Sequence, residues 1–181
     1  MYIWVGADVD SQLGEIKKPT KKTEEALGLF YSTLMLPLHI SLKISFCVDD
    51  RIVNDVIDSL REIYETIAPF QVRTKKIEHR GKLVWIRIKK SAKLDSIHNR
   101  LDSVLKEKHG VELHDLDRHY LFHATLFMCE NKEQSRAAHE AVRKASLPKK
   151  LRIDRLVIGT SPDGTVGTYQ VIKTVCLKEK R

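Results

Sequence analysis

Two short runs of this 181-residue chain carry residue types suited to moving protons: LPLHISLKI at 36–44 and YLFHATLFM at 120–128. Each reads apolar, His, apolar, Ser or Thr, Leu. Successive side chains on a strand alternate faces, so His39 and Ser41 point the same way, as do His123 and Thr125. Ile40, Leu42, Ala124 and Leu126 point into the opposite, apolar layer. Each run therefore sets an imidazole beside a hydroxyl on an otherwise greasy strand. A single His-x-Ser or His-x-Thr is common and is usually structural. Two copies in matching apolar strands form a weak internal repeat, which points to two similar lobes.

If the lobes face each other, two imidazoles and two hydroxyls converge on one cleft. That set suits a phosphodiester. Cleavage takes a proton from the attacking oxygen and gives one to the leaving oxygen. Histidine titrates near neutral pH, so one ring serves as base and the other as acid. The hydroxyls donate hydrogen bonds to non-bridging phosphate oxygens as charge shifts there. No metal or other cofactor is called for.

The strands that carry these motifs need neighbours. Apolar periodicity predicts helices over 51–67, with Asp49 or Asp50 as N-cap, and over 92–109, between Ser91 and Gly110. A third helix is predicted over 132–146, opened by Asn131 and Gln134 and closed before Pro148. A fourth lies within 20–34, its ends blurred by Pro19 and Gly28. Strands are expected at 2–8, 38–48, 70–78, 82–89, 121–129, 151–160 and 168–178. Strands that mostly neighbour strands or single helices indicate an α+β fold with antiparallel sheets.

Length and composition fit one domain spanning 1–181, with 42% hydrophobic residues and a real core. No apolar run approaches the roughly 20 residues that cross a membrane. The start, MYIWVGADVD, reads as a strand and not as a signal peptide. Cys47, Cys129 and Cys176 are odd in number and widely spaced, which argues against a disulfide framework and for a reducing cytoplasm. The net charge of +8 fits an anionic partner such as a nucleotide or RNA. Part of it is concentrated: residues 73 to 90 hold eight basic side chains, Arg73 through Lys90, against Glu78 alone.

At these residues the chain resembles the two-histidine (2H) phosphoesterase superfamily, which includes 2′-5′ RNA ligase-like proteins and RNA cyclic phosphodiesterases. The carriers are His39-Ile40-Ser41 and His123-Ala124-Thr125. GKLVWIRI is similar to the family's apolar strand between the motifs, LDSIHNRLDSVLKEKHG to the helix after it, and Tyr120 to an aromatic common before the second His. Phe122 stands where relatives often have Pro, and Met128 where the cyclic phosphodiesterase branch often has Arg. The resemblance implies a duplicated fold, with two antiparallel sheets flanking a central cleft and helices outside. It also implies hydrolysis of a 2′,3′-cyclic phosphate or a 2′-5′ phosphodiester of RNA ends or small nucleotides. The roles of the two histidines stay unassigned.

Four further residues are expected to bind substrate. Trp85 could stack on a base, and Arg87 shares its face and could meet phosphate. Tyr120 lines the cleft or packs. Lys43 lies on the face of His39 and Ser41 and either meets phosphate or is solvated beyond the cleft, with solvation the stronger expectation. His114, Asp115, Asp117, His119 and His123 look like metal ligands only if the HxxxH spacing is helical. His123 opens a strand-like run, so that premise fails and a solvated loop is expected. His79, His98, His109 and His139 carry no signal. Three other functions stay open: nucleotide or RNA binding with little turnover, a metallohydrolase built on 114–123 that chelator sensitivity would reveal, and 2′-5′ ligation. No membrane association and no obligate protein partner are evident.

Overall fold

The computed structural model describes residues 1–29, 36–165 and 167–179. Strand β1 (Tyr2–Asp8) is followed by helix α1 (Gly14–Leu27), then β2 (His39–Ser41), β3 (Phe46–Cys47) and α2 (Val53–Glu65). The hairpin of β4 (Phe70–Arg80) and β5 (Leu83–Ile88) leads to α3 (Ala92–His109), β6 (His123–Met128) and α4 (Lys132–Val142). Strands β7 (Lys150–Ile153), β8 (Arg155–Ser161) and β9 (Gln170–Cys176) complete the order.

Every strand pairing is antiparallel, in the order β7-β4-β5-β6-β2-β1-β8-β9, with β3 beside β1. The sheet is strongly curled. The two expected sheets are its two arms, and they meet where β2 pairs with β6 at Ile40 and Ala124. One face is apolar: Val5, Ile40, Ile86 and Ala124 are buried there together with Leu60, Leu101 and Ala138 of the helices. The other face lines the concavity.

Local chemistry explains most boundaries. Ser91 accepts a hydrogen bond from the Leu94 amide, and Gly110 ends α3 in the left-handed conformation that favours glycine (φ 65°). The Asn131 side chain likewise caps α4 at the Gln134 amide. Pro19 does not limit α1, which starts at Gly14 and runs through it to Gly28. Part of the helix expected over 20–34 lies outside the described residues. The expected 38–48 strand breaks after Ser41, because Lys43 turns inward and the Ile44 amide donates to the Asp117 carboxylate. Strand 151–160 divides at Asp154 into β7 and β8, which belong to opposite arms. Among the described residues no helix is long and apolar enough to cross a membrane.

Candidate active site

The Ile40–Ala124 pairing sets the geometry of the site. One step along the antiparallel ladder in either direction places His39 across from Thr125, and Ser41 across from His123. Side-chain alternation turns all four toward the concave face. They line one cleft of about 310 Å³. The residues singled out by spacing alone are thus brought together, each histidine beside the other motif's hydroxyl.

The two imidazoles are held alike. Nδ1 of His39 lies 2.9 Å from the Pro37 carbonyl, and Nδ1 of His123 lies 2.5 Å from the Leu121 carbonyl. A carbonyl only accepts, so Nδ1 carries the proton in both rings. Among the described residues nothing bonds Nε2 of either ring, which leaves that nitrogen to exchange a proton with a ligand. A tryptophan packs against each ring: Trp4 on His39 at 4.2 Å between centroids, and Trp85 on His123 at 4.2 Å. Both indoles are buried.

The electrostatic surroundings differ. On β1, Asp8 is the direct neighbour of His39; on β5, Arg87 is the direct neighbour of His123. Burial lowers the pKa of His39, while the Pro37 bond and the Asp8 carboxylate oppose that shift. Burial also lowers that of His123, to about 4; the Leu121 bond opposes the shift, and there His39 and Arg87 add to it.

Trp85 does not offer the free face that base stacking needs, contrary to expectation. It is buried, and that face is spent on His123. Arg87 is half-buried, 3.9 Å from Glu78 and beside His123. Tyr120 both packs and lines the cleft. Its hydroxyl reaches Ser41 without a well-aligned hydrogen bond, and burial holds its pKa well above the usual phenol value.

Lys43 is neither solvated nor free for phosphate. Its Nζ sits 2.6 Å from Asp102 and 2.6 Å from Asp117, with its side chain 2% exposed. Asp117 is therefore buried structure, not part of a solvated loop. His98 is likewise buried, with its ring nitrogens 2.7 Å from the Leu42 carbonyl and 3.0 Å from the Asp117 carbonyl. Tyr120 stacks on it at 4.7 Å. Among the described residues, His98, Asp102 and Asp117 bring potential ligand atoms within 4.8 Å of one another. The Lys43 ammonium already occupies both carboxylates there. His114 instead caps a short turn through the Leu116 amide.

Sequence reasoning missed Trp4, Gly6, Asp8 and Tyr169. The first three were legible as alternate residues of β1, opposite in phase to Ile3, Val5 and Ala7. Gly6 is required by close approach: a Cβ there would lie 2.9 Å from His39 Cδ2. Gly159 is more constrained, because a Cβ would fall 2.0 Å from the Trp4 indole nitrogen. Tyr169 lines the cleft from the loop before β9, where no periodicity marks it.

Solved structures share this architecture. TT0787 of Thermus thermophilus is 13% identical, with 100% of both chains covered and a TM-score of 0.60. LigT of E. coli complexed with 3′-AMP is 14% identical, with 98% of each chain covered and a TM-score of 0.62. Usb1 of Kluyveromyces marxianus is 13% identical over 97% of this chain and 98% of its own, with a TM-score of 0.53. Among curated proteins no sequence matches. The family model of the 2′-5′ RNA ligase superfamily matches residues 10–165, most of the chain, and the protein belongs to that superfamily.

Proposed function

We propose that this protein is a phosphodiesterase that hydrolyses a 2′,3′-cyclic phosphate or a 2′-5′ phosphodiester of RNA ends or nucleotides. Its catalytic groups are His39, Ser41, His123 and Thr125, and no step of the reaction calls for a metal. The observation that carries the reading is the convergence of two identically held imidazoles and two hydroxyls on one cleft floor. Binding alone would need donors, not a matched pair of proton-exchanging rings. The two-lobed duplication read from the repeated motif belongs to the same proposal. It is supported by the way β1-α1-β2 and β5-α3-β6 each deliver one motif.

The neighbours support a division of labour. His39, beside Asp8, is the ring better able to hold a proton and serves as the acid. His123, beside Arg87, stays neutral and serves as the base. The anionic diester itself favours an imidazolium, and Asp8 directs that proton to His39. His123 Nε2 takes a proton from water as its oxygen attacks phosphorus. The Ser41 and Thr125 hydroxyls donate to the non-bridging oxygens. His39 gives its proton to the departing ribose oxygen, leaving a phosphomonoester. Passing the proton from His123 to His39 restores the starting state. The reverse reaction, joining ends through a 2′-5′ bond, uses the same groups. LigT is known in complex with 3′-AMP, which fits a nucleotide-sized cleft.

The test is turnover of 2′,3′-cyclic nucleotides and a 2′-5′ oligoadenylate with EDTA present, for wild type and His123→Ala. Turnover by wild type alone supports the mechanism. Equal turnover by both rejects it.

A further inference from the structure

The cleft itself is poor in free positive charge. Trp4, Leu36, Ile44, Leu83 and Met128 form much of its wall, and its one lysine, Lys43, is neutralised by two carboxylates. The positive charge lies beside it. The cross-strand row that begins at His123 on β6 continues to Arg87 on β5. On β4 the register passes from Thr74 opposite Ile88 to Ile77 opposite Ile86, so Lys75 and Lys76 together oppose Arg87. This two-against-one arrangement is a β-bulge, a feature that re-aims side chains. The next row holds Lys89, whose amide bonds the Arg73 carbonyl, then Arg73 itself and Lys150 of β7 directly opposite it.

Apart from half-buried Arg87, these cations are exposed. Glu78 is the acid among them, 3.9 Å from both Lys76 and Arg87. Among the described residues no carboxylate pairs with Arg73, Lys75, Lys89 or Lys150. Like charges directly opposite each other on a sheet are destabilising, and Arg73 faces Lys150. An array of this kind is relieved by an anionic occupant with several charges. The other arm is different. On the same face β1 offers Tyr2, Trp4 and Gly6, and its Asp8 is paired with Arg155 at 3.4 Å.

We propose that the β5-β4-β7 arm is the docking surface for a single-stranded polynucleotide, whose phosphates track these cations away from His123. The substrate is then the end of an RNA chain in preference to a mononucleotide. This inference rests on the proposed hydrolysis at the two histidines for which end is bound, but its surface is separate from them. Strands lie about 4.8 Å apart, so the row from β6 to β7 spans about 15 Å, enough for several phosphates.

The experiment is fluorescence anisotropy with a 12-nucleotide single-stranded RNA bearing a 2′,3′-cyclic end, over a salt series. Alongside it, turnover of the same RNA is compared with that of a 2′,3′-cyclic mononucleotide. The face variant is Arg73→Gln/Lys76→Gln/Lys89→Gln. The control, Lys18→Gln/Lys21→Gln/Lys22→Gln, removes the same charge from exposed positions of α1. The face variant is expected to bind RNA at least tenfold more weakly, with a salt slope shallower by about 2 at roughly 0.7 per phosphate contact. The control is expected to change less than about twofold. Equal losses in both variants, or wild-type binding by the face variant, would overturn the docking surface. If wild type hydrolyses neither substrate yet the face variant alone loses RNA, the surface stands and the catalytic reading falls. If wild type hydrolyses RNA and mononucleotide equally well and the face variant binds normally, the catalytic reading stands and the surface falls.

Discussion

The Trp4 ring lies 4.2 Å from the His39 ring, centroid to centroid, tilted by 35°. The two rings meet over Gly6, and the indole lies across Gly159. Both glycines are needed for the space they leave. Gly159→Ala is expected to push Trp4 off its bed and misplace His39, lowering kcat by about 10²-fold, the scale set by a displacement of about 1 Å. Gly6→Ala acts on the same ring more mildly. Steady-state turnover with a thermal melt separates this effect from unfolding.

His39→Ala and His123→Ala are each expected to lower kcat by roughly 10² to 10⁴ with the melting temperature nearly unchanged. The double variant should fall little further, because acid and base act as a unit. Ser41→Ala and Thr125→Ala should cost less than the histidine changes. Single-turnover rates measure all five.

The pH profile of kcat/KM should be bell-shaped and displaced to the acid side. The base works above its pKa, so the acidic limb follows His123 near pH 4. The acid works below its pKa, so the alkaline limb follows His39, below the ordinary 6.5. Arg87→Gln removes a cation that lowers the His123 value and should move the acidic limb upward. Asp8→Asn removes the carboxylate that supports His39⁺ and should move the alkaline limb further down. An alkaline limb that tracks Arg87 instead would reverse the assigned roles.

Lys43 predicts a stability effect more than a kinetic one. Lys43→Met strips the ammonium from both Asp102 and Asp117, leaving Asp102 the His98 ring at 3.3 Å and the fully buried Asp117 carboxylate without its cation. Removing one partner of a buried ion pair costs about 3–5 kcal/mol. Urea denaturation at pH 7 reads that loss. A smaller drop in kcat should accompany it, since Lys43 is two residues from Ser41 on the same chain segment.

The strands that carry the motifs were legible because alternation holds around each histidine, up to the register shift that buries Leu126 and Phe127 together. HATLFM and LVWIRI place apolar and functional residues on opposite faces, so His123 and Thr125 could be paired from spacing alone. The 92–109 helix was legible to the residue, since Ser91 and Gly110 cap it. Contacts made across long separations stayed hidden. Lys43 looks like a surface residue beside a cleft until Asp102 and Asp117 are brought to it. His98 looks like a helix-surface histidine until the Leu42 carbonyl arrives from another part of the chain. Trp85 looks like a stacking platform until His123 fills its face. Whether a polar or aromatic residue is free is decided by tertiary partners, and local periodicity carries no information about them.

The crossing of partners at the β2–β6 seam has a mechanical meaning. His39 faces Thr125 and Ser41 faces His123, so on the proposed mechanism each proton carrier has a hydroxyl directly opposite it on the other arm. Splaying the arms would separate both pairings at once, while a small approach would tighten both together. With β2 and β6 joined through Ile40 and Ala124, the rate of the proposed reaction would be a gauge of how far that seam is closed.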